Sequence, residues 1–357
     1  MFDSNRNIKC HIELSNYCNA ACPMCSRNLI SKTYPHEMTI RNDVDNSQLR
    51  IDDIKKIFDD RFFKTYNLDA VNMCGVRGDP ATALDLFEIC EYLLSKNNNL
   101  EIQIATNGGL KTASYWKKIG NLFTKYNNNN SKIVFGIDGL EDTNHIYRQN
   151  VNFKKVMKNA QAFIDGGGNA EWQYLMFKHN EHQVGEAKEL AENMGFTNFF
   201  IVNTNRWGSV TNNGYKVFTY KGKTHVLETA DSKFDIIQDT FEFIHSDEAE
   251  EIKCKSIERN QFYIDSFGRL LPCCWFGGSL NKMMSYLPKK YDSIMNFYDT
   301  EEMNVIKNDL VDTLQHRFLT ESVPLAWKNI EGKNCSSRTC KSMCSKTKNF
   351  QKKKEYV

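Results

Sequence analysis

Three cysteines near the start of the chain, Cys18, Cys22 and Cys25, have the spacing C-x3-C-x2-C, which suits metal binding. A loop this short brings three thiols together, and thiolates prefer soft metals, so zinc and an iron–sulfur cluster are the two candidates. A zinc site requires a fourth ligand, for which His36 is the nearest downstream histidine. In a four-iron cluster, three cysteines leave one iron open to a small molecule. Three cysteines without metal are the remaining alternative.

A second group of cysteines lies near the other end of the chain. Its members are Cys254, Cys273, Cys274, Cys335, Cys340 and Cys344. Clustered cysteines in a reducing cytosol bind metal or do chemistry more often than they form disulfides. The other three, Cys10, Cys74 and Cys90, fall at apolar strand or helix positions, so we expect them to pack as small hydrophobic side chains.

The composition is that of a soluble globular protein. The chain has 357 residues, 41% of them hydrophobic, which predicts two domains or one large one. A net charge of +2 supplies no field that would attract nucleic acid or an anionic membrane. No apolar run reaches bilayer-spanning length and no signal peptide opens the chain, so we expect a cytoplasmic protein with no nucleic-acid or membrane partner.

Six strand-like segments alternate with helical patterns over the first two-thirds of the chain. The predicted strands are 8–14, 69–74, 100–106, 132–137, 171–177 and 198–203. This alternation predicts a parallel α/β domain, but it does not distinguish an open sheet from a partial barrel. Polar residues such as His11, Glu13 and Gln103 share strand faces that either line a polar pocket or are solvated.

The pattern changes beyond residue 208. Residues 215–228 predict a hairpin turning at Lys221-Gly222, and 261–273 a second hairpin turning near Phe267-Gly268. Helical patterns occur at 234–245, 300–312 and 315–330.

The N-terminal cysteine motif, directly after the first strand, resembles the signature of the radical S-adenosylmethionine (SAM) superfamily. Three further segments match the family in order. Residues 75–80 (GVRGDP) resemble its GGEP segment, 106–108 (TNG) its TNG motif, and Ile137-Asp138-Gly139 with His145 and Arg148 its S-x-D-G…H-x-x-R stretch. The resemblance implies the following cofactor-binding residues: Met24, Gly78, Asp79, Thr106, Asn107, Asp138, Arg148 and Asn203.

The resemblance also implies an α/β fold and a mechanism. The fold is a partial (β/α)6 TIM-type barrel with its site at the carboxyl ends of the strands. A 4Fe-4S cluster held by the cysteine triad binds SAM, whose amino group meets the backbone of 75–80 and whose carboxylate pairs with Arg148. Reduction by a reductase or a flavodoxin- or ferredoxin-type donor yields a 5′-deoxyadenosyl radical that takes a hydrogen atom from the substrate.

Three positions depart from the family pattern. Met24 stands where an aromatic residue usually precedes the third cysteine, Asp79 replaces the glutamate of GGEP, and Gly136 replaces the serine of S-x-D-G. None of them touches the expected cluster ligands.

The C-terminal cysteines resemble a SPASM or twitch domain, which holds auxiliary iron–sulfur clusters. Cys254-x13-Gly268-x4-Cys273 fits its opening pattern. Two auxiliary clusters would take about eight ligands, so one cluster is the better fit to six cysteines. Its remaining ligands come from Cys335, Cys340 and Cys344, and we favour the last two because their C-x3-C spacing survives from the family pattern. A structural zinc site on the same residues is the alternative.

The resemblance divides the chain into a radical SAM core at 1–208, a linking hairpin and helix at 209–250, and an auxiliary-cluster domain with a basic tail at 251–357.

Cys274 follows an expected ligand, Cys273, and adjacent residues of an extended segment point in opposite directions. In relatives that mature sulfatases an aspartate base stands here, whereas a cysteine in this role donates a hydrogen atom in epimerases. We therefore regard Cys274 as a candidate hydrogen-atom donor, with a packed cysteine or a cluster ligand as alternatives.

The sequence thus predicts a radical SAM enzyme with one auxiliary cluster, acting on a polar small molecule or a peptide by oxidation, epimerisation or cross-linking. Only 17 residues precede Cys18, which leaves no room for a peptide-binding domain there, so we expect a small molecule or a peptide presented by a separate partner. A zinc-stabilised, non-catalytic α/β binding protein is the alternative.

Overall fold

Fifteen strands are present in the computed structural model, which describes residues 1–41, 46–126, 130–204, 206–207, 215–231, 237–238, 251–280, 293–327 and 337–346. The strands are β1 (Ile8–Ile12), β2 (Asn28–Ile30), β3 (Met38–Ile40), β4 (Leu68–Met73), β5 (Glu101–Thr106), β6 (Lys132–Gly136), β7 (Asn169–Leu175), β8 (Asn198–Asn203), β9 (Tyr215–Tyr220), β10 (Lys223–Glu228), β11 (Ile237–Gln238), β12 (Glu251–Ile252), β13 (Gln261–Ile264), β14 (Leu270–Leu271) and β15 (Ser345–Lys346).

Nine of these strands form one sheet in the order β11-β8-β7-β6-β5-β4-β1-β13-β14. All neighbours pair in parallel except β13 and β14, which form an antiparallel hairpin at one edge. The six predicted strands are its centre, and the sheet closes only partly, as expected for a partial TIM-type barrel. The prediction of an α/β partial barrel is confirmed.

Twelve α-helices are described. They are α1 (Ile51–Ile57), α2 (Asp60–Thr65), α3 (Leu86–Lys96), α4 (Ala113–Lys125), α5 (Asn144–Tyr147), α6 (Phe153–Asp165), α7 (Val184–Met194), α8 (Lys255–Glu258), α9 (Cys274–Leu280), α10 (Leu310–Thr313), α11 (Val323–Leu325) and α12 (Arg338–Cys344). Short 3-10 turns occur at Pro80–Thr82, Glu181–Gln183 and Ser293–Phe297, and a π-helical turn at Phe318–Ser322.

The helices after the central strands cover the outer face of the sheet. Helix α4 begins where the Thr112 hydroxyl accepts a hydrogen bond from the Tyr115 amide, which satisfies one otherwise unpaired N–H of the first turn. Its apolar stripe packs on α6, with the rings of Phe123 and Phe163 edge-to-face at 6.0 Å. Burial of such stripes is the main stabilising contribution to this layer.

The strands bury one face more completely than the other. On β5, Ile102 and Ile104 are fully buried, whereas the intervening Gln103 is half-buried. The register places His11, Asn72 and Gln103 side by side on adjacent strands of this second face. The polar faces seen in the sequence are therefore half-buried across the concave side of the sheet and are not freely solvated.

Three segments differ from their predicted form. Within the expected helix at 234–245, Ile237–Gln238 is a strand that pairs with β8, because the exposed edge of β8 offers backbone groups that need partners. The other residues of that range lie outside the described part. The region 300–312 is helical only at its end, in α10. In the range 315–330, the described residues 315–327 form helical elements at 318–325, and 328–330 lie outside the described part.

Both predicted hairpins are present. Strands β9 and β10 pair through the turn at Lys221-Gly222, and β13 and β14 turn at Gly268, whose φ of +77° favours glycine. Strand β13 joins the main sheet beside β1 although it lies in the segment assigned to the auxiliary domain. In the described part of the chain no helix is both long and apolar enough to cross a bilayer.

Candidate active site

The N-terminal cysteine motif forms the loop between β1 and β2, at the carboxyl end of the first strand. The Cys22 carbonyl accepts hydrogen bonds from the Cys25 amide at 3.0 Å and from Asn28 Nδ2 at 2.7 Å. The Ala21 amide donates to the carbonyl of Gln149 at 3.0 Å, which ties the loop to the segment after α5. The loop is thus held by the protein's own hydrogen bonds.

The thiols of this loop are suited to a metal cluster. Burial raises the pKa of Cys22 to about 12, while the nearby Arg148 guanidinium opposes the rise, and burial also raises the pKa of Cys18. The thiols of Cys18 and Cys22 are therefore neutral at pH 7, and metal binding would displace their protons. The Ala20 amide and Asn107 Nδ2 donate to Cys18 Sγ at 3.4 and 3.7 Å, as donors do to cluster sulfurs.

This donor set fits an iron–sulfur cluster. It consists of three soft sulfur donors with N–H groups directed at one of them. Among the residues described, no three His, Cys, Asp or Glu side chains enclose a single metal ion. A four-iron cluster takes one thiolate per iron, so its ligands need not converge on one point. His36 lies in the β2–β3 turn, with Nδ1 3.2 Å from the Ser31 carbonyl.

The GGEP-like segment lies flush against the end of β1. A Cβ on Gly78 would be 1.7 Å from the Ser15 carbonyl oxygen, and one on Gly75 would be 2.3 Å from the Gly78 oxygen, so both positions require glycine. On the other side, Ser26 Oγ donates to the Val76 carbonyl at 3.1 Å. The segment therefore packs between β1 and the cysteine loop.

The Asp79 carboxylate joins this segment to the end of β5. Oδ1 accepts from the Ala81 amide at 2.9 Å and from Thr106 Oγ1 at 2.8 Å. Oδ2 accepts from the amide and Nδ2 of Asn107, at 2.8 and 2.6 Å. Four protein donors occupy this buried carboxylate, whose pKa burial raises and these bonds lower. Its side chain positions Thr106 and Asn107, and the contact of Asp79 with SAM stays a prediction.

Arg148 lies between the end of β6 and the cysteine loop. Its Nε donates to Asp138 Oδ2 at 2.6 Å, and its Nη1 is 4.0 Å from Cys22 Sγ. Asp138 is fully buried, and its other oxygen accepts the Leu175 amide at 2.8 Å. The Asp138 carboxylate therefore orients Arg148, and a contact of Asp138 itself with SAM stays a prediction.

Two other expected cofactor contacts lie in different surroundings. Met24 is buried at 6% exposure within the core cluster. Asn203 ends β8 half-buried, next to Gln238 of β11. Both lie at the carboxyl side of the sheet, and their contact with SAM stays a prediction.

Four C-terminal cysteines are brought together. Cys340 and Cys344 are four residues apart on one face of α12. The Lys253 amide donates to the Cys344 carbonyl at 2.9 Å, which places Cys254 beside that helix. Burial raises the pKa of Cys273 well above its ordinary value, and Cys274, Cys340 and Cys344 are near enough to add to the rise. Cys335 lies outside the described residues.

Cys274 has ionisable neighbours that differ from those of Cys340 and Cys344. It opens helix α9 and is not extended as expected, yet its surroundings differ from those of the preceding cysteine. Burial raises its pKa to about 12, with contributions from Cys74 and Glu13. The ring of Tyr263 meets that of His11 edge-to-face at 5.0 Å nearby. Cys274 therefore lies near the polar side chains of Glu13 and Tyr263.

The three cysteines expected to be packing residues differ in their burial. Cys10 and Cys90 are fully buried, which confirms that prediction. Cys74 is exposed at the end of β4, so the prediction is wrong there, because the strand ends one residue earlier. All eleven described cysteines are free thiols.

Several residues that hold the site had no motif to reveal them. Asn28 supports the Cys22 carbonyl, and Asn19 Oδ1 accepts from Asn107 Nδ2 at 2.9 Å. Glu13, noticed only as a polar strand residue, is 1% exposed and binds the GGEP-like segment. Each of these residues forms its hydrogen bonds with backbone groups or with residues remote in sequence. The spacing of residues along the chain does not indicate such contacts.

Solved structures resembling this chain include SuiB of Streptococcus suis bound to S-adenosylmethionine, with a TM-score of 0.55, 16% identity, and coverage of 94% of this chain and 72% of that one. SuiB bound to its precursor peptide SuiA gives a TM-score of 0.54 at 16% identity, covering 90% and 67%. Native anSMEcpe with bound AdoMet and the Cp18Cys peptide gives a TM-score of 0.48 at 15% sequence identity. The match covers 95% of this chain and 89% of that one. At these identities the likeness to SuiB shows the fold alone.

No curated protein matches the chain significantly. The family model described as the radical SAM superfamily matches residues 12–220, which is more than half of the chain and includes the cysteine loop, the GGEP-like segment and Arg148. With the partial barrel and the three-thiol loop at its strand ends, this match establishes that the chain belongs to the radical SAM superfamily.

Proposed function

We propose that this radical SAM protein carries one auxiliary iron–sulfur cluster and abstracts a hydrogen atom from a polar peptide or small molecule. The observation that carries the proposal is the difference in surroundings between two adjacent cysteines, Cys273 and Cys274. Cys274, Cys340 and Cys344 all add to the raised pKa of Cys273, whereas Cys74 and Glu13 add to the raised pKa of Cys274. A cluster on Cys273, Cys340 and Cys344 would thus lie beside Cys274 and near Glu13.

The superfamily's cofactors are a 4Fe-4S cluster and SAM. Cys18, Cys22 and Cys25 would hold the cluster, and Arg148, 4.0 Å from Cys22 Sγ, would pair with the SAM carboxylate. Together these cofactors supply, on reduction, a 5′-deoxyadenosyl radical. The protein's part is to hold SAM through the 75–80 backbone and Arg148, with Asp79 and Asp138 fixing both.

The auxiliary cluster would be bound by Cys254, Cys273, Cys340 and Cys344. Their mutual proximity supports this set, since burial and neighbouring cysteines together raise the pKa of Cys340 to about 12. Grouped thiols suit a soft metal cluster, whose binding would replace their protons. This assignment corresponds to a twitch-like domain with a single cluster.

The substrate proposal depends on the concave face. His11, Asn72 and Gln103 lie in register there, and Lys132 pairs with Glu171 at 3.3 Å. Such a lining suits a polar ligand that offers hydrogen bonds. SuiB has been solved with a precursor peptide, which favours a peptide as the first class to test. Oxidation, epimerisation and cross-linking are the candidate outcomes.

The electron donor would be a reductase or a flavodoxin- or ferredoxin-type protein. The free thiols fit a cytoplasmic setting, where disulfides are rare.

The deciding experiment is anaerobic reconstitution with iron and sulfide, followed by SAM, a chemical reductant and host extract. We expect brown protein, 5′-deoxyadenosine, and a changed peptide or metabolite by mass spectrometry. A variant with Cys18, Cys22 and Cys25 all changed to alanine should lose about four irons and all SAM cleavage, yet keep the auxiliary cluster. A colourless protein that takes up zinc instead, or a triple variant that still makes 5′-deoxyadenosine, would overturn the proposal.

A further inference from the structure

Glu13 is a buried carboxyl group between three parts of the site. It directly follows β1, is 1% exposed, and its amide donates to the Ile264 carbonyl at 2.9 Å. Oε1 accepts two successive amides of the GGEP-like segment, from Arg77 at 2.7 Å and Gly78 at 3.0 Å. Oε2 accepts from the Tyr263 hydroxyl at 3.2 Å.

These bonds fix the orientation of two peptide planes. In a trans peptide, the carbonyl of one residue points opposite to the N–H of the next. Because the amides of Arg77 and Gly78 point at Glu13, the carbonyls of Val76 and Arg77 point to the opposite side. Ser26, next to Cys25, donates to the Val76 carbonyl at 3.1 Å, so that side is the cysteine loop.

The close approach of this segment depends on its glycine. A Cβ at position 78 would be 1.7 Å from the Ser15 carbonyl oxygen, so the Gly78 amide reaches Glu13 only because no side chain intervenes. Glu13 and Gly78 therefore act together on the GGEP-like segment. A carboxyl oxygen on one side and a missing side chain on the other hold the loop in a single orientation.

We propose that Glu13 is a positioning residue for SAM, which directs the Val76 and Arg77 carbonyls toward the amino group of SAM at the cluster. The inference rests on the proposed function, since it presumes that the 75–80 backbone receives that amino group. Carbonyl oxygens are acceptors for an ammonium group, and their direction sets how well SAM is held.

Two variants of matched size separate this role from simple packing. Glu13→Gln keeps a carbonyl oxygen that accepts both amides, whereas Glu13→Met fills the same space without an acceptor. With reconstituted protein, we expect Glu13→Gln to bind SAM within about threefold of the native protein and Glu13→Met at least about tenfold more weakly. Isothermal titration measures the affinity, and iron content and melting temperature are recorded alongside.

A Glu13→Met protein with full iron content and native SAM affinity would contradict the inference and leave the proposed function intact. Equal weakening in both variants would contradict it too, because the acceptor would then not matter. If the native reconstituted protein binds no SAM, the proposed function itself fails. Should Glu13→Met not fold, Tyr263→Phe replaces it. That change removes the donor to Oε2 and should weaken SAM binding about threefold, and unchanged affinity would refute the inference.

Discussion

The guanidinium of Arg148 occupies the space that a side chain at position 136 would need. A Cβ on Gly136 would lie 2.4 Å from Nη2 of Arg148. The arginine is held there by its bond to the fully buried Asp138. The glycine that departs from the family's serine is thus matched to the position of this arginine, and the two residues are best understood together.

Substitution of the glycine tests that relationship. Gly136→Ala should displace Arg148, weaken SAM binding severalfold, and lower the free energy of unfolding by about 1–3 kcal/mol through overpacking. Titration calorimetry and denaturant unfolding provide the two readouts. Gly185→Ala is the matched control, because it lies in α7 with no atom within 4 Å of the added Cβ, and it should be neutral or slightly stabilising. Equal SAM affinity in Gly136→Ala would show that the arginine moves without consequence.

Removal of the arginine itself should weaken SAM binding without loss of iron. Arg148→Ala deletes a charge-assisted pair with the SAM carboxylate, an effect of about 1.5–3 kcal/mol, or roughly 10- to 150-fold in the dissociation constant. Arg148→Lys should recover only part of this, because lysine lacks the bidentate geometry.

Arg148→Ala also strands the buried Asp138, which by itself would destabilise the fold. The double variant Arg148→Ala with Asp138→Asn removes that charge, so its loss of SAM affinity reports the interaction of Arg148 with SAM alone. If its affinity equals that of the native protein, the assignment of Arg148 to the SAM carboxylate is wrong.

The C-terminal cysteines should separate by iron content. Cys340→Ala and Cys344→Ala should each lose about four irons and the corresponding electron paramagnetic resonance signal, while SAM cleavage persists at the N-terminal cluster. Cys90→Ala, a buried cysteine of α3, is the control and should keep all iron. If Cys335→Ala loses iron and Cys340→Ala does not, Cys335 is the cluster ligand in place of Cys340.

Cys274 should matter for product and not for cofactor. Cys274→Ala should keep its iron and its 5′-deoxyadenosine production but yield no epimerised or otherwise hydrogen-quenched product by mass spectrometry. The physical reason is that the thiol S–H, kept protonated by a pKa of about 12, is the hydrogen source. Loss of iron would make Cys274 a cluster ligand, and an unaffected product would make it a packing residue.

Local patterns were enough to predict the framework of this protein. The period-two and helical stripes located the six central strands and both hairpins, because side-chain alternation follows directly from backbone geometry. The three-cysteine spacing and the segments after successive strands also identified the superfamily that the family match establishes. These features are local, so a single sequence carries them.

Only the tertiary structure decided which polar side chains form hydrogen bonds with one another. The sequence did not reveal that Asp79 would be saturated by Thr106 and Asn107, or that Asp138 would be buried beneath Arg148. The extra strand β11 arose in a segment with a helical pattern because an open sheet edge offered hydrogen bonds. Such outcomes depend on contacts between remote residues and on burial, which no local spacing encodes.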